Sequence, residues 1–222
     1  MKYDALQRDL GYRFEDRGLL VRALTHRSVG AQNYERLEFL GDGLLNFVVG
    51  AALYEREPGA EEGALSRLRA ALVREETLAR CARGLRLGQY LELGESERKS
   101  GGNRRDSILA DVLEALIGAV YLDAGFAAAQ AVCLQVLAAE FSSLPDPDTL
   151  KDSKTRLQEW LQARSRPLPT YEILSESGPP HRRVFRIRCT LTDAGLLAEA
   201  RGASRRAAEQ DAARKLLESL DA

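Results

Sequence analysis

The stretch Ser107–Gly118, SILADVLEALIG, constrains the fold of this chain more than any other. On a helix, Leu109, Val112, Leu113, Leu116, Ile117 and Val120 cover most of the circumference, so the segment must lie inside a core with neighbours on most sides. Yet it carries Asp111 and Glu114, one turn apart on one face, and Gly118, seven residues after Asp111, leaves space above them. Buried carboxylates without partners are costly and tend to protonate, so a compensating cation is expected. An arginine is one candidate and a divalent metal is the other.

A second acidic segment, Glu35-Arg-Leu-Glu-Phe-Leu-Gly-Asp42, offers the complement. At about 100° per residue, Glu35, Glu38 and Asp42 share an arc of roughly 60°, with Leu37, Leu40 and Leu44 opposite. A solvated charged face explains such spacing equally well. Against that explanation, no lysine sits at i+4 to neutralise these acids, and Gly41 and Gly43 lower helix propensity where a structural helix would use alanine. If Glu38 and Asp42 face Asp111 and Glu114 across a helix interface, four carboxylates share a small volume that is stable only around a divalent cation. Oxygen ligands without His or Cys select Mg2+ or Mn2+.

The remaining chain divides at LPDPDTLKD, residues 144–152, whose prolines and alternating acids mark a linker. Before it, apolar spacings of three and four over 17–29, 35–56, 61–83, 107–122 and 126–143 predict an almost wholly helical region. After it come a helix at 152–164, alternating stretches at 170–176, 183–191 and 195–201, and a helix at 204–220, which together read α-β-β-β-α. The expected organisation is therefore a domain over 1–145, a linker over 146–151 and a second domain over 152–222. With 222 residues and 45% hydrophobic content the chain can build both cores. Its net charge of -1 conceals an asymmetry: residues 1–149 carry -5 and residues 150–222 carry +4. The basic part is the candidate for a polyanionic partner.

Composition excludes several chemistries. No apolar run approaches the roughly 20 residues that span a bilayer and the N-terminus has no apolar signal region, so a cytoplasmic location without membrane attachment is expected. Cys81, Cys133 and Cys189 are odd in number and lack CxxC spacing, which reads as reduced core thiols rather than disulfides or a zinc site. The two histidines, His26 and His181, fall in different domains, which argues against a two-histidine nuclease. There is no Walker A loop, GxSxG elbow or Cys-His pair, and metal-assisted hydrolysis is what is left.

Several motifs in order resemble the bacterial ribonuclease III family over nearly the full length: Leu24-Thr-His-Arg-Ser28, Glu35 to Asp42, Glu62-Gly63 leading into Leu65-Ser-Arg-Leu-Arg69, Lys99-Ser-Gly-Gly102, and Ile108 to Ile117. The resemblance implies an all-α N-terminal endonuclease domain followed by a small α+β double-stranded-RNA-binding domain. It implies Glu38, Asp111 and Glu114 as metal ligands, Asp42 and Glu114 as catalytic carboxylates, and Glu35 and Glu62 in supporting roles. It further implies Mg2+, with Mn2+ able to substitute, and a homodimer in which Phe39 packs into the partner subunit. The implied reaction is metal-assisted in-line attack of water on double-stranded RNA, leaving 5′-phosphate and 3′-hydroxyl ends with short 3′ overhangs. Ribosomal RNA precursors and other structured transcripts are the implied substrates.

The C-terminal region resembles a double-stranded-RNA-binding domain, which reads A-form RNA by shape across about 16 base pairs. Gln158, Glu159 and Gln162 match its minor-groove face, while Leu157 and Leu161 turn inward. The loop Gly178-Pro-Pro-His-Arg-Arg183 presents His181 to a second minor groove. Arg205 and Arg206 stand at a helix N-terminus, where charge and dipole both favour phosphate. Ala207 and Val184 stand where the family is often basic, which predicts modest phosphate affinity; Tyr34 replaces a frequent asparagine, and Gly43 a more usual alanine or serine. A non-catalytic double-stranded-RNA-binding protein is the alternative, but it predicts lost acids and none is lost. A nuclease for DNA or single strands is disfavoured by recognition of the 2′-hydroxyl and the A-form duplex.

Overall fold

In the computed structural model, which describes residues 3–179 and 182–220, the chain divides between Asp148 and Thr149 into two units. The regular elements of the first are helices: α1 (Asp4–Leu10), α2 (Arg17–Ala23), α3 (Glu35–Arg56), α4 (Glu62–Val73), α5 (Glu75–Gly84), α6 (Glu95–Lys99), α7 (Asp106–Val136) and α8 (Ala138–Ser142). As expected from its apolar circumference, α7 buries Leu109, Val112, Leu113, Leu116, Ile117 and Val120. Helix α3 lies against it and buries Leu37, Gly41, Leu45, Val48, Val49 and Leu53.

Two glycines let these helices meet backbone to backbone. A Cβ on Gly41 would stand 1.8 Å from the Glu114 carbonyl oxygen, and one on Gly118 would stand 2.2 Å from that of Leu37. Gly118 therefore serves the approach of α3 rather than opening space above the acids, which corrects the expectation. Gly43 meets open space, so no packing demand explains it. Leu40 and Leu44 are only half-buried; the inward stripe of α3 runs instead through Leu37, Gly41 and Leu45, displaced around the helix by the glycine contact.

Several helix bounds differ from those expected. The helix over 17–29 stops at Ala23, because the Thr25 hydroxyl donates to the Val21 carbonyl at 2.8 Å and the chain turns to bond Glu92. The helix over 61–83 breaks at Arg74 (φ -68°, ψ 153°), where the Thr77 hydroxyl takes the Ala71 carbonyl at 2.8 Å. Gly125 (φ 82°) kinks α7, so 107–122 and 126–136 join across one bend. The unanticipated α1 ends at Gly11, whose left-handed φ of 69° suits glycine. Averaged along a helix rather than read as an unbroken run, α3 and α7 are each long and apolar enough to cross a bilayer. They pack on each other and carry Glu38, Asp42, Asp111 and Glu114, which suits core helices around a polar site.

The second unit comprises α9 (Ser153–Gln162), β1 (Thr170–Ser177), β2 (Val184–Leu191), β3 (Leu196–Gly202) and α10 (Arg205–Leu220). The strands form an antiparallel sheet in the order β1-β2-β3. Period-2 alternation turns Cys189 and Leu191 toward Leu157, Leu161, Ala212, Ala213, Leu216 and Leu217, closing the core between sheet and helices. On the outer face Arg186 and Arg188 both bond Glu199. The three cysteines are free thiols, Cys133 and Cys189 buried and Cys81 half-buried.

Candidate metal centre and nucleic-acid interface

The α3–α7 crossing sets two acidic turns side by side. Glu38, Asp111 and Glu114 each offer a carboxylate oxygen, and the three oxygens lie within 4.8 Å of one another. Glu38 and Asp111 line a polar cleft of about 200 Å3 together with His26, Arg27, Tyr34, Glu35, Glu97, Arg105 and Ser107. Burial pushes the Glu114 carboxyl up to about 8, reinforced by the charges of Asp42, Asp111 and Glu38. Burial also raises Glu38 to about 7, helped by Asp111, Glu35 and Asp42 and opposed by Arg27. Asp111 is raised by burial too, while the Tyr34 hydroxyl, which donates to Asp111 Oδ2 at 3.3 Å, holds it down. Three crowded acids resist ionisation together, and hard oxygen donors of this kind suit a small divalent cation.

The other acids expected at the site stand around this group. Asp42 is exposed at its edge and accepts from the Asn46 amide at 2.8 Å; its charge reaches Glu38 and Glu114, but it is not one of the three close oxygens. Glu35 is exposed and pairs with Arg27 at 3.5 Å. Glu62, on α4, accepts from the Ser66 hydroxyl at 2.8 Å and lies outside the cluster. Phe39 is 84% exposed, so it is not a core residue of this chain. The periodicity of α3 gave no sign of Tyr34, His26 and Arg27 beside Asp111, because those contacts come from a loop and not from a helical face.

In the second unit Gln158, Glu159 and Gln162 are exposed on α9 while Leu157 and Leu161 are fully buried. Glu159 pairs with Lys151 at 2.7 Å. Arg205 and Arg206 are exposed at the start of α10, with Arg205 bonded to Glu209 at 2.8 Å. Glu209 is buried and also binds Lys154 at 2.7 Å, a bridge between α9 and α10 that sequence reasoning did not find. Its signal was weak, an acid one turn after Arg205. His181 lies outside the described residues.

Residues 16–141 match the family model described as Ribonuclease-III-like. The chain belongs to the ribonuclease III family. Residues 153–220 match the model of the double-stranded RNA binding motif. Among its relatives is Ribonuclease 3 of Pseudomonas fluorescens Pf-5, 58% identical over 215 residues that cover 97% of this chain and 94% of that protein. Ribonuclease 3 of Alkalilimnicola ehrlichii is 56% identical over 218 residues, covering 98% and 96%. A solved nuclease domain of ribonuclease III from Campylobacter jejuni superposes with a TM-score of 0.62 at 44% identity, covering 63% of this chain and 99% of that one. The chain is thus a ribonuclease III family enzyme, with a helical nuclease unit followed by an α-β-β-β-α unit that binds double-stranded RNA.

Proposed function

We propose that this enzyme cleaves double-stranded RNA by divalent-metal-assisted phosphodiester hydrolysis, leaving 5′-phosphate and 3′-hydroxyl ends with short 3′ overhangs. The observation that carries this reading is the convergence of Glu38, Asp111 and Glu114, whose oxygens lie within 4.8 Å. The donor set fits Mg2+, with Mn2+ able to take its place: all oxygen, crowded, and raised in pKa at each member. The chemistry such a cation supplies is activation of water and neutralisation of charge on the phosphoryl oxygens. Glu38, Asp111 and Glu114 hold it. Asp42, exposed and oriented by Asn46, stands where it can accept a proton from water or organise water at the edge of the cluster. Glu35 and Glu62 support from outside the ligand group.

The binding surface assigned to the second unit is Gln158, Glu159 and Gln162 on α9 with Arg205 and Arg206 at α10, and the loop carrying His181 completes it. Residues 1–145 act as the catalytic domain, 146–151 as the linker and 152–222 as the RNA-binding domain. The enzyme works as a homodimer in the cytoplasm, on ribosomal RNA precursors and other structured transcripts. Support for the dimer comes from the exposed Phe39 and Phe47 and from the Campylobacter jejuni nuclease domain, which has a region involved in dimer formation.

The test compares duplex RNA, duplex DNA and single-stranded RNA with Mg2+ and with EDTA. Only duplex RNA with Mg2+ is cut, and Glu114→Ala or Asp42→Ala lowers the rate by at least about 100-fold while duplex binding in Ca2+ persists. Full activity in either variant would remove that residue from the mechanism.

A further inference from the structure

Tyr34, immediately before α3, is 3% exposed, and its polar groups are committed. Its N–H donates to the Thr25 carbonyl at 2.9 Å, and its own carbonyl accepts from the N–H groups of Leu37 at 2.8 Å and Glu38 at 2.9 Å. Its hydroxyl donates to Asp111 Oδ2 at 3.3 Å, across 77 residues of sequence. The ring stands edge-on to buried His26, with centroids 5.7 Å apart and planes at 61°. His26 is itself anchored, its N–H to the Glu92 carbonyl at 3.0 Å and its Nδ1 to the Ser28 hydroxyl at 2.8 Å. The tyrosine ring therefore has little freedom to turn. Through it the first turn of α3, which carries Glu38, is bonded to the carboxylate of Asp111 on α7.

We propose that Tyr34 is a positioning residue for the metal centre, its hydroxyl fixing the Asp111 carboxylate in the orientation that receives the cation. This rests on the reading of Glu38, Asp111 and Glu114 as the cation site. A carboxylate turns about two side-chain bonds, and a donor on one oxygen removes much of that freedom before the ion arrives. The donor's neutrality matters. An arginine or lysine in the same place would fix the carboxylate but also cancel the charge the cation needs, whereas a phenol orients it and leaves the charge intact. Outer partners of this kind are worth about 10- to 100-fold in metal affinity.

The test is Mn2+ titration of the full-length chain by calorimetry without RNA, at a pH near 8, with melting in EDTA measured alongside. Tyr34→Phe weakens Mn2+ binding by about tenfold or more, leaves the EDTA melting temperature close to that of the parent, and shifts cleavage to higher Mg2+ without lowering the saturated rate. Replacing Tyr34 by 4-aminophenylalanine, which keeps a neutral donor at the same point, restores the affinity. Mn2+ affinity in Tyr34→Phe equal to the parent's would overturn the proposal. If Tyr34→Phe melts early, the 4-aminophenylalanine chain decides instead: folded but still weak in binding, it overturns the positioning role. A parent chain that binds no Mn2+, or binds it as tightly after Glu114→Gln, would overturn the cation-site reading itself.

Discussion

Glu114 and Glu38 carry their protons to unusually high pH, titrating at about 8 and about 7 against an ordinary 4.5. Burial is the largest cause for both, and neighbouring acids add to it. A carboxyl whose folded pKa is raised contributes stability that is fully present below its unfolded value and is lost as pH rises through the folded value. Without metal, these two groups therefore weaken the fold progressively from near pH 4.5 up through about 7 and 8. A divalent cation displaces those protons, so its stabilising effect grows over the same window. In EDTA the melting temperature should fall by a few degrees between about pH 5.5 and about pH 8.5, and saturating Mg2+ should remove most of that fall. Glu114→Gln should flatten the EDTA profile because the amide has no proton to lose. Identical pH slopes with and without Mg2+ in the parent chain would contradict the crowded-acid account.

The α3–α7 crossing depends on two positions that cannot take a side chain. Gly41→Ala drives a methyl into the Glu114 carbonyl oxygen, with backbone on both sides and no flexible group to yield. Its cost should reach about 3 kcal/mol or more, and it should also spread Glu38 from Glu114 and weaken Mn2+ binding. Gly50→Ala on the same helix meets only the end of the Arg69 side chain at 3.7 Å. It should stabilise by up to about 1 kcal/mol through helix propensity. Chemical denaturation of the two variants checks both signs, and equal effects would show that propensity rather than packing governs these sites. Both acidic helices were legible in the sequence because a 3.6-residue period converts spacing directly into a face, and the apolar circumference of α7 left only burial. The glycines were visible but misassigned at Gly118, since one helix's period does not say which backbone approaches it. The break at Arg74 follows one side chain capping Ala71, and the Tyr34–Asp111 bond joins a loop to a helix 77 residues away. Neither leaves a periodic trace. In the second unit alternation sufficed for the strands, while the Lys154–Glu209–Arg205 bridge, which joins two helices through a buried acid, did not announce itself.

Across the whole molecule, an acidic nuclease unit and a basic RNA-binding unit divide the work of holding a polyanion and cutting it. The basic unit supplies long-range attraction, and on the proposed reading the acidic cluster would accept phosphate only with cations present. Among the described residues one such cluster is found; if it makes one cut, as proposed, cutting both strands would call for two chains. The nuclease unit carries a surface suited to that pairing. Phe39, Phe47 and Tyr54 recur along one side of α3 at 84%, 63% and 74% exposure, and Tyr121, Leu122 and Phe126 on α7 are exposed as well. Phe47 and Phe126 touch edge to face with centroids 5.8 Å apart, so an exposed aromatic of each helix meets in one patch. Scattered exposed apolar residues are ordinary, but exposed aromatics that meet across two helices suit an interface. Phe47→Glu places a charge in the middle of this patch and should leave the monomer fold intact, since the side chain is mostly solvent-facing there. Sedimentation velocity should show the parent at twice the 24.5 kDa chain mass and the variant at the chain mass. On a duplex labelled on both strands, the parent should cut the two strands together and the monomeric variant should give single nicks at a much reduced rate. A Phe47→Glu chain that still sediments as a dimer would assign the contact to another face, and paired cuts from a monomer would break the link between dimerisation and double cleavage.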